Sequence, residues 1–264
     1  MLALDHNQEV LIANTDYNPR RMEHCVHRMI EHQVDGVAIM TSEMTPELVR
    51  LLQRRKIPVV FLDTGKLGPL VSNISINYEH GTGMAIDHLT ALQHRRIAFI
   101  QGPPRLRSAK IRRDAFVRAW ERNSLKLGED YLKIGNHNID GGQRAMKELL
   151  AMSQPPTAIM CSNDLTAIGA LLAAHHAGVC VPEEISVIGF DDIVLSEATL
   201  PPLTTIRISR SAIATRAFTA LYGASDGGVR RGIESTIDTE LIIRQSTGVQ
   251  KNSRKPGVTD GSVT

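Results

Sequence analysis

Residues 156–193, PTAIMCSNDLTAIGALLAAHHAGVCVPEEISVIGFDDI, decide the fold. The apolar run Thr157–Cys161 predicts a buried strand, and Ile185–Phe190 predicts a second one. The alanine- and leucine-rich stretch Asp164–Ala177 predicts a helix, which Gly178 ends because glycine readily adopts the left-handed conformation. A helix joining two continuously apolar strands is typical of a parallel sheet with a right-handed crossover.

The same alternation extends outward from this stretch along most of the chain. Thr45 and Pro46 predict the start of one helix, since threonine caps and proline fits the first turn. Further helices are predicted near 20–33, 83–92, 108–120, 142–150 and 211–221, and strands over 9–13, 37–40, 59–62, 73–76, 97–100, 204–208 and 236–243. The sequence therefore predicts an α/β protein built on doubly wound parallel sheets.

Length and composition limit the possible classes of protein. The 264 residues are 42% hydrophobic and 22% charged, which excludes a disordered chain and allows one large domain or two lobes. The net charge of +2 and only ten aromatic residues argue against a chain that itself binds nucleic acid. No apolar run is long enough to span a membrane, and no secretory signal precedes the first strand. Three widely spaced cysteines without a C-x-x-C pair predict buried thiols in the reducing cytoplasm.

The motifs of enzymes and cofactor sites are absent or incomplete. Gly81 and Gly83 begin a dinucleotide fingerprint, but Ile86 replaces its third glycine and the next strand ends in Gln101 instead of an acid. The pair His24 and His27 has no acidic or cysteine partner nearby to complete a metal site. The sequence therefore predicts neither a cofactor, a metal nor catalysis, and favours a ligand-binding module.

Polar residues follow nearly every predicted strand. They are Asn14–Asp16, Asp63, Asn77–Tyr78, Gln101, Asn163–Asp164 and Asp191–Asp192. Ligands of doubly wound sheets bind beyond the carboxyl ends of the strands, so we expect the binding site among these residues.

Several of these stretches, in the same order, resemble the lactose/galactose-repressor (LacI/GalR) family of transcriptional regulators. The resemblance is carried by 156–193, by LPPLTTI at 200–206, by TELIIRQST at 239–247, by SAKIRRDAF at 108–116 and by NISINYEHG at 73–81. It implies two doubly wound lobes joined by three crossing segments, with a small effector in the cleft between them. Residues 1–77 and 209–237 would form the N-terminal lobe, 78–208 and 238–250 the C-terminal lobe, and 251–264 a flexible tail.

The resemblance also implies the residues that contact the effector. Arg112 would be the pocket arginine and Asp191 the pocket aspartate, with Asn163 and Ser108 as further contacts. Ile76 and Asp16 would complete the set. Asp164 is expected to cap the following helix. Arg105, Arg107, Lys110 and Arg113 surround Arg112, so the effector is either a neutral sugar-like molecule or an anionic one such as a sugar acid or sugar phosphate.

The resemblance covers residues 10–247. The family's helix-turn-helix head, the first strand of its effector domain and most of the first helix of that domain have no counterpart here. A mis-assigned start codon or a truncated chain is expected, leaving exposed apolar surface in the N-terminal lobe. Operator DNA would then be bound only through a head that these residues lack. A homodimer is expected, with 20–33 and 45–55 as candidate interface helices. The alternative function is a periplasmic-type solute-binding protein that serves a sugar transporter.

Overall fold

The computed structural model describes residues 2–41, 44–63, 65–125, 128–222 and 231–250, so the predicted tail 251–264 lies outside the described residues. The strands are β1 (Val37–Ile39), β2 (Val59–Leu62), β3 (Val71–Ile76), β4 (Ile97–Gln101), β5 (Leu132–Ile134), β6 (Ala158–Cys161), β7 (Ser186–Asp191), β8 (Thr204–Ile208), β9 (Glu234–Ile237) and β10 (Thr239–Ile242). The helices are α1 (Leu2–Asp5), α2 (Pro19–Glu31), α3 (Pro46–Arg54), α4 (Tyr78–Ala91), α5 (Arg107–Arg122), α6 (Ile139–Leu150), α7 (Asp164–His176) and α8 (Arg210–Tyr222).

The strands form two sheets, as the predicted α/β architecture requires. The first sheet has the order β1-β2-β3-β9 and is parallel throughout. The second has the order β10-β8-β7-β6-β4-β5 and is parallel except for β10, which pairs antiparallel with β8. Helices α2 and α3 pack against one face of the first sheet, and α8 contacts strands β2 and β3 from the other side. Helices therefore cover both faces, and the fold is doubly wound.

The chain passes between the two sheets three times, and the passages lie together. Asn77 connects β3 to α4, Ser209 connects β8 to α8, and Asp238 connects β9 to β10. The Asn77 amide donates to the Asp238 carboxylate at 2.9 Å, and the Thr239 hydroxyl donates to the Asn77 carbonyl at 3.0 Å. These bonds join the first and third passages into one connection. The predicted lobe boundaries remain a prediction.

The local signals that begin and end helices act as the sequence indicates. The Thr45 hydroxyl accepts a hydrogen bond from the Leu48 amide at the start of α3, and Pro46 is the first helical residue. Gly178, with a φ of 70°, follows the end of α7 in the left-handed conformation.

Four local predictions were wrong. Residues 9–13 form no strand: Val10, Leu11 and Ile12 are 69, 54 and 92% exposed, because no described strand lies beside them to pair with. The apolar surface expected in this lobe is thus present. The run 236–243 belongs to two strands in different sheets, since the chain crosses at Asp238. Strand β5 was not predicted because its sequence, Leu-Lys-Ile, is not a continuous apolar run and none of its residues is fully buried. Of the three cysteines expected to be buried, only Cys161 is: Cys25 is half-buried, and Cys180 is exposed in the loop after α7.

Candidate functional site

Arg112 is the centre of the candidate site. It lies on α5, which begins just beyond the carboxyl end of β4, and it shares the inner face of that helix with Ala109, Ala115 and Phe116. The residue is only 8% exposed. Helical periodicity thus places a permanent cation where an apolar side chain would normally lie, and such a cation needs partners.

The partners of the Arg112 guanidinium come from the ends of two neighbouring strands. Its Nη2 donates to Asp191 Oδ1 at 3.0 Å, and its Nη1 donates to the carbonyl oxygen of Ser162. Its Cζ lies 4.4 Å from the centre of the Phe190 ring and 5.0 Å from that of Tyr78. Two ring faces and a carboxylate therefore hold the guanidinium in one place.

A second acid approaches this group from the first sheet. The Tyr78 hydroxyl donates to Asp63 Oδ2 at 2.5 Å, and the Ile76 amide donates to Asp63 Oδ1 at 2.7 Å. Burial raises the pKa of Asp63, although these two hydrogen bonds oppose the shift. Through Tyr78, the site connects the carboxyl end of β2 with Arg112 in the second lobe.

The six residues expected from the resemblance differ in where the structure places them. Arg112 and Asp191 are in direct contact, and Ser108 is half-buried in the first turn of α5. The Ile76 side chain is 7% exposed and packs in the hydrophobic core that contains Tyr78 and Phe190. Asp16 is exposed and forms a 3.6 Å ion pair with Arg21. The ligand-binding role of all six residues remains a prediction.

The helix-capping role expected of Asp164 belongs to Asn163. Asn163, not Asp164, caps α7: its Oδ1 accepts from the Thr166 amide at 3.0 Å, and its Nδ2 donates to the His137 carbonyl at 2.9 Å. Asp164 is fully buried, where it accepts from the Thr205 hydroxyl at 2.5 Å and the Ile193 amide at 2.8 Å. Burial raises the pKa of Asp164 to about 7.

His137 is a candidate contact that sequence reasoning missed. Its backbone has a φ of 64°, and its ring lies against Gly102, where any Cβ atom would overlap it. Burial, reinforced by the charge of Arg112, lowers the pKa of His137 to about 4, so the ring is neutral at pH 7. Its Nε2 is buried and has no hydrogen-bond partner among the described residues. No sequence signal pointed to it, because the contact between His137 and Gly102 joins two loops that are distant along the chain.

The segment before α2 also reaches the opposite lobe. The guanidinium of Arg105, in the loop after β4, lies 5.5 Å from the centre of the Tyr17 ring. Asp16 and Tyr17 both have positive φ values, 48° and 52°, which turn this loop toward the second sheet. The contact between Tyr17 and Arg105 and the hydrogen bond between Asp63 and Tyr78 therefore each link the two lobes. Within the described ranges, no three His, Cys, Asp or Glu side chains group as metal ligands.

Similarity to known proteins gives the class of the molecule. Residues 86–247, more than half of the chain, match the periplasmic binding protein-like domain. The HTH-type transcriptional repressor PurR of Pasteurella multocida (strain Pm70) is 32% identical over 90% of this chain and 71% of its own length. The repressor CytR of Escherichia coli (strain K12) is 31% identical over 93% of this chain and 72% of its own.

A solved structure agrees with these sequence relatives. The lac repressor dimer bound to operator and the anti-inducer ONPF superimposes with a TM-score of 0.79 at 25% identity, covering 93% of this chain and 85% of the other. The chain belongs to the LacI/GalR family of transcriptional regulators. It is a ligand-sensing regulator domain, and the comparisons support this assignment over the alternative of a transporter's solute-binding protein. No helix in the part of the chain that the structure describes is long and apolar enough to cross a membrane.

Proposed function

We propose that the domain binds a sugar-like effector among Arg112, Asp191 and His137. One observation carries the proposal: Arg112 Nε, His137 Nε2 and Ser162 Oγ are buried without hydrogen-bond partners in the described structure. Each such group costs about 1–3 kcal/mol when it stays unpaired. A ligand with several hydroxyl groups would satisfy all three, and the predicted contacts Asn163, Ser108, Ile76 and Asp16 would complete its surroundings.

The charges of the site favour a neutral effector. The guanidinium of Arg112 already has Asp191 as its counter-ion, and His137 is uncharged at pH 7. A hydroxyl group can both donate and accept a hydrogen bond. Several hydroxyl groups of one ligand can therefore pair with the Asp191 carboxylate, the His137 imidazole and the Arg112 N–H group. Arg105 and Arg107 are exposed near this site, and an anionic sugar acid or sugar phosphate is therefore the alternative effector.

The effector would act through the angle between the lobes. A ligand shifts a conformational equilibrium only by its difference in affinity for the two states. One that contacts Arg112 and Asp191 in the second lobe and the Asp16–Tyr17 loop or Asp63 in the first favours the closed arrangement. That arrangement would set the operator affinity of a helix-turn-helix head outside these residues, as a coupling between two sites.

Membership of the LacI/GalR family also suggests an oligomeric state and a cellular location for the chain. The lac repressor of the comparison structure is a dimer bound to operator. We propose that this chain likewise forms a homodimer, acts in the cytoplasm and catalyses no reaction. Helices α2 and α3 remain the candidate interface helices; their buried residues, Met22, Val26, Leu48 and Leu52, face the core, so pairing would use their opposite faces.

Calorimetric titration with matched neutral and anionic sugars tests the proposed effector class. We expect measurable heat from a neutral sugar, and weaker binding when the same sugar carries a phosphate or carboxylate. Tighter binding of the anionic member of each pair would overturn the neutral assignment. Absence of binding by every member of a broad panel of both kinds would overturn the sugar-like class itself.

A further inference from the structure

Asp192 directly follows the predicted ligand residue Asp191 but faces other partners. Its Oδ2 accepts from Arg207 Nε at 2.6 Å, and its Oδ1 accepts from Arg244 Nη2 at 2.8 Å and from Ser196 Oγ at 3.2 Å. The Asp192 side chain is 9% exposed and that of Arg244 is 12% exposed. We call Asp192, Ser196, Arg207 and Arg244 the Asp192 cluster. Burial raises the pKa of Asp192, but the two arginines outweigh it and lower the net value, so the carboxylate stays ionised.

The backbone beside this cluster adopts conformations that L-residues rarely take. Asp191 has a φ of 113° and Asp192 a φ of 53°. Such residues keep these angles only where the surrounding structure fixes them. Two sets of bonds fix this bend: those of the Asp192 cluster, and the bond from the Ile193 amide to the buried Asp164 carboxylate at 2.8 Å. The direction of the Asp191 side chain depends on this bend.

The cluster also contacts the segment that leaves the second sheet for the first. Arg207 lies on β8, one residue before the strand ends at Ile208. Arg210, the first residue of α8, donates from Nη2 to the Asp192 carbonyl at 3.4 Å. Helix α8 packs on the first sheet. Asp192 is thus bonded to Arg207 before this passage between the sheets and to Arg210 after it.

We propose that Asp192 is a positioning residue: without contacting the effector, it holds Asp191 in the orientation that meets Arg112 and ties that orientation to the passage between the lobes. The relevance to effector binding rests on the proposed function. The positioning itself concerns only the pairing of Asp191 with Arg112, which exists without ligand. It can therefore be tested on the free protein.

The test is the ¹⁵N–¹H signal of the Arg112 Nε–H group in the full chain without ligand. This group is buried and lacks a hydrogen-bond partner among the described residues, while the neighbouring Nη2 is paired with Asp191. The variant Arg112→Lys assigns the signal. We expect Asp192→Asn to shift it in the same direction as Asp191→Asn does, and to make its hydrogen exchange severalfold faster. The matched control Arg118→Gln lies on the same helix as Arg112 and breaks only an exposed ion pair with Glu79 of α4, so it should leave the signal unchanged.

A merely structural role would give a different result. If Asp192→Asn lowers the stability but leaves the Arg112 signal in place, Asp192 does not position Asp191. Should Asp192→Asn fail to fold, Arg207→Gln replaces it, because that side chain is 41% exposed and Arg244 remains bonded to Asp192. Arg207→Gln should produce a smaller shift in the same direction, and no shift would overturn the proposal. If no sugar binds although the signal shifts as expected, the proposed function fails and the positioning role stands.

Discussion

Replacing Arg112 by methionine tests whether the guanidinium holds the site together. Methionine keeps most of the apolar stem but removes the 3.0 Å pair with Asp191, the bond to the Ser162 carbonyl and the contact with the Phe190 ring. Removing one partner of a fully buried ion pair costs about 3–5 kcal/mol. Because the Asp191 side chain is 31% exposed and water can reach it, we expect a smaller loss here. The free energy of unfolding should fall by about 2–4 kcal/mol.

The measurement is urea unfolding followed by the fluorescence of Trp120. This is the only tryptophan, it is 1% exposed, and it lies on the same helix as Arg112. The double variant Arg112→Met with Asp191→Asn should recover part of the loss, with a coupling energy of about 1–2 kcal/mol. The matched control Arg118→Met removes an exposed arginine from this helix and should cost no more than about 1 kcal/mol. Equal losses for the two arginine variants, or additive effects in the double variant, would show that the Arg112 guanidinium does not hold the site together.

Two further predictions concern buried groups around this centre. The pKa of Asp164 is about 7 in the folded chain and 3.8 in the unfolded chain, so the folded state binds more protons between these two pH values. The free energy of unfolding should therefore fall as the pH rises from 3.8 to about 7. Asp164→Asn should remove this slope from urea midpoints measured across that interval, and an unchanged slope would contradict the assignment. Gly102→Ala should displace the His137 ring and lower the melting temperature and effector affinity together; a variant with normal affinity would exclude His137 as a contact.

Local patterns predicted most of the fold because they are decided within a few residues. The strands expected at 157–161 and 185–190 occur as β6 and β7, since continuous apolar runs fit a sheet covered on both faces. Residues 9–13 show the limit of such patterns: their apolar run is no less regular, but a strand forms only where another strand pairs with it. Likewise, nothing local reveals that the chain changes sheets at Asp238.

The candidate site was less predictable because its contacts join distant parts of the chain. Arg112 and Asp191 are 79 residues apart, and only the family resemblance indicates that they belong together. Asn163 and Asp164 are both good helix-capping residues, so the sequence cannot decide between them. The burial of Asp164 beside Thr205, a tertiary contact, decides it. His137 lies in a short polar loop that has no periodicity to indicate its role.

Binding of the effector at Asp191 is tested most directly by the melting temperatures of the wild type and of Asp191→Asn with saturating neutral sugars. A ligand at about 100 times its Kd stabilises the folded state by about 2.7 kcal/mol. For a chain of this size that corresponds to a rise of roughly 5–10 °C. We expect this rise for the wild type and its near loss in Asp191→Asn, because the variant lacks the carboxylate proposed to accept hydrogen bonds from the hydroxyl groups of the sugar. An equal rise in both proteins would contradict the assignment of the effector to this site.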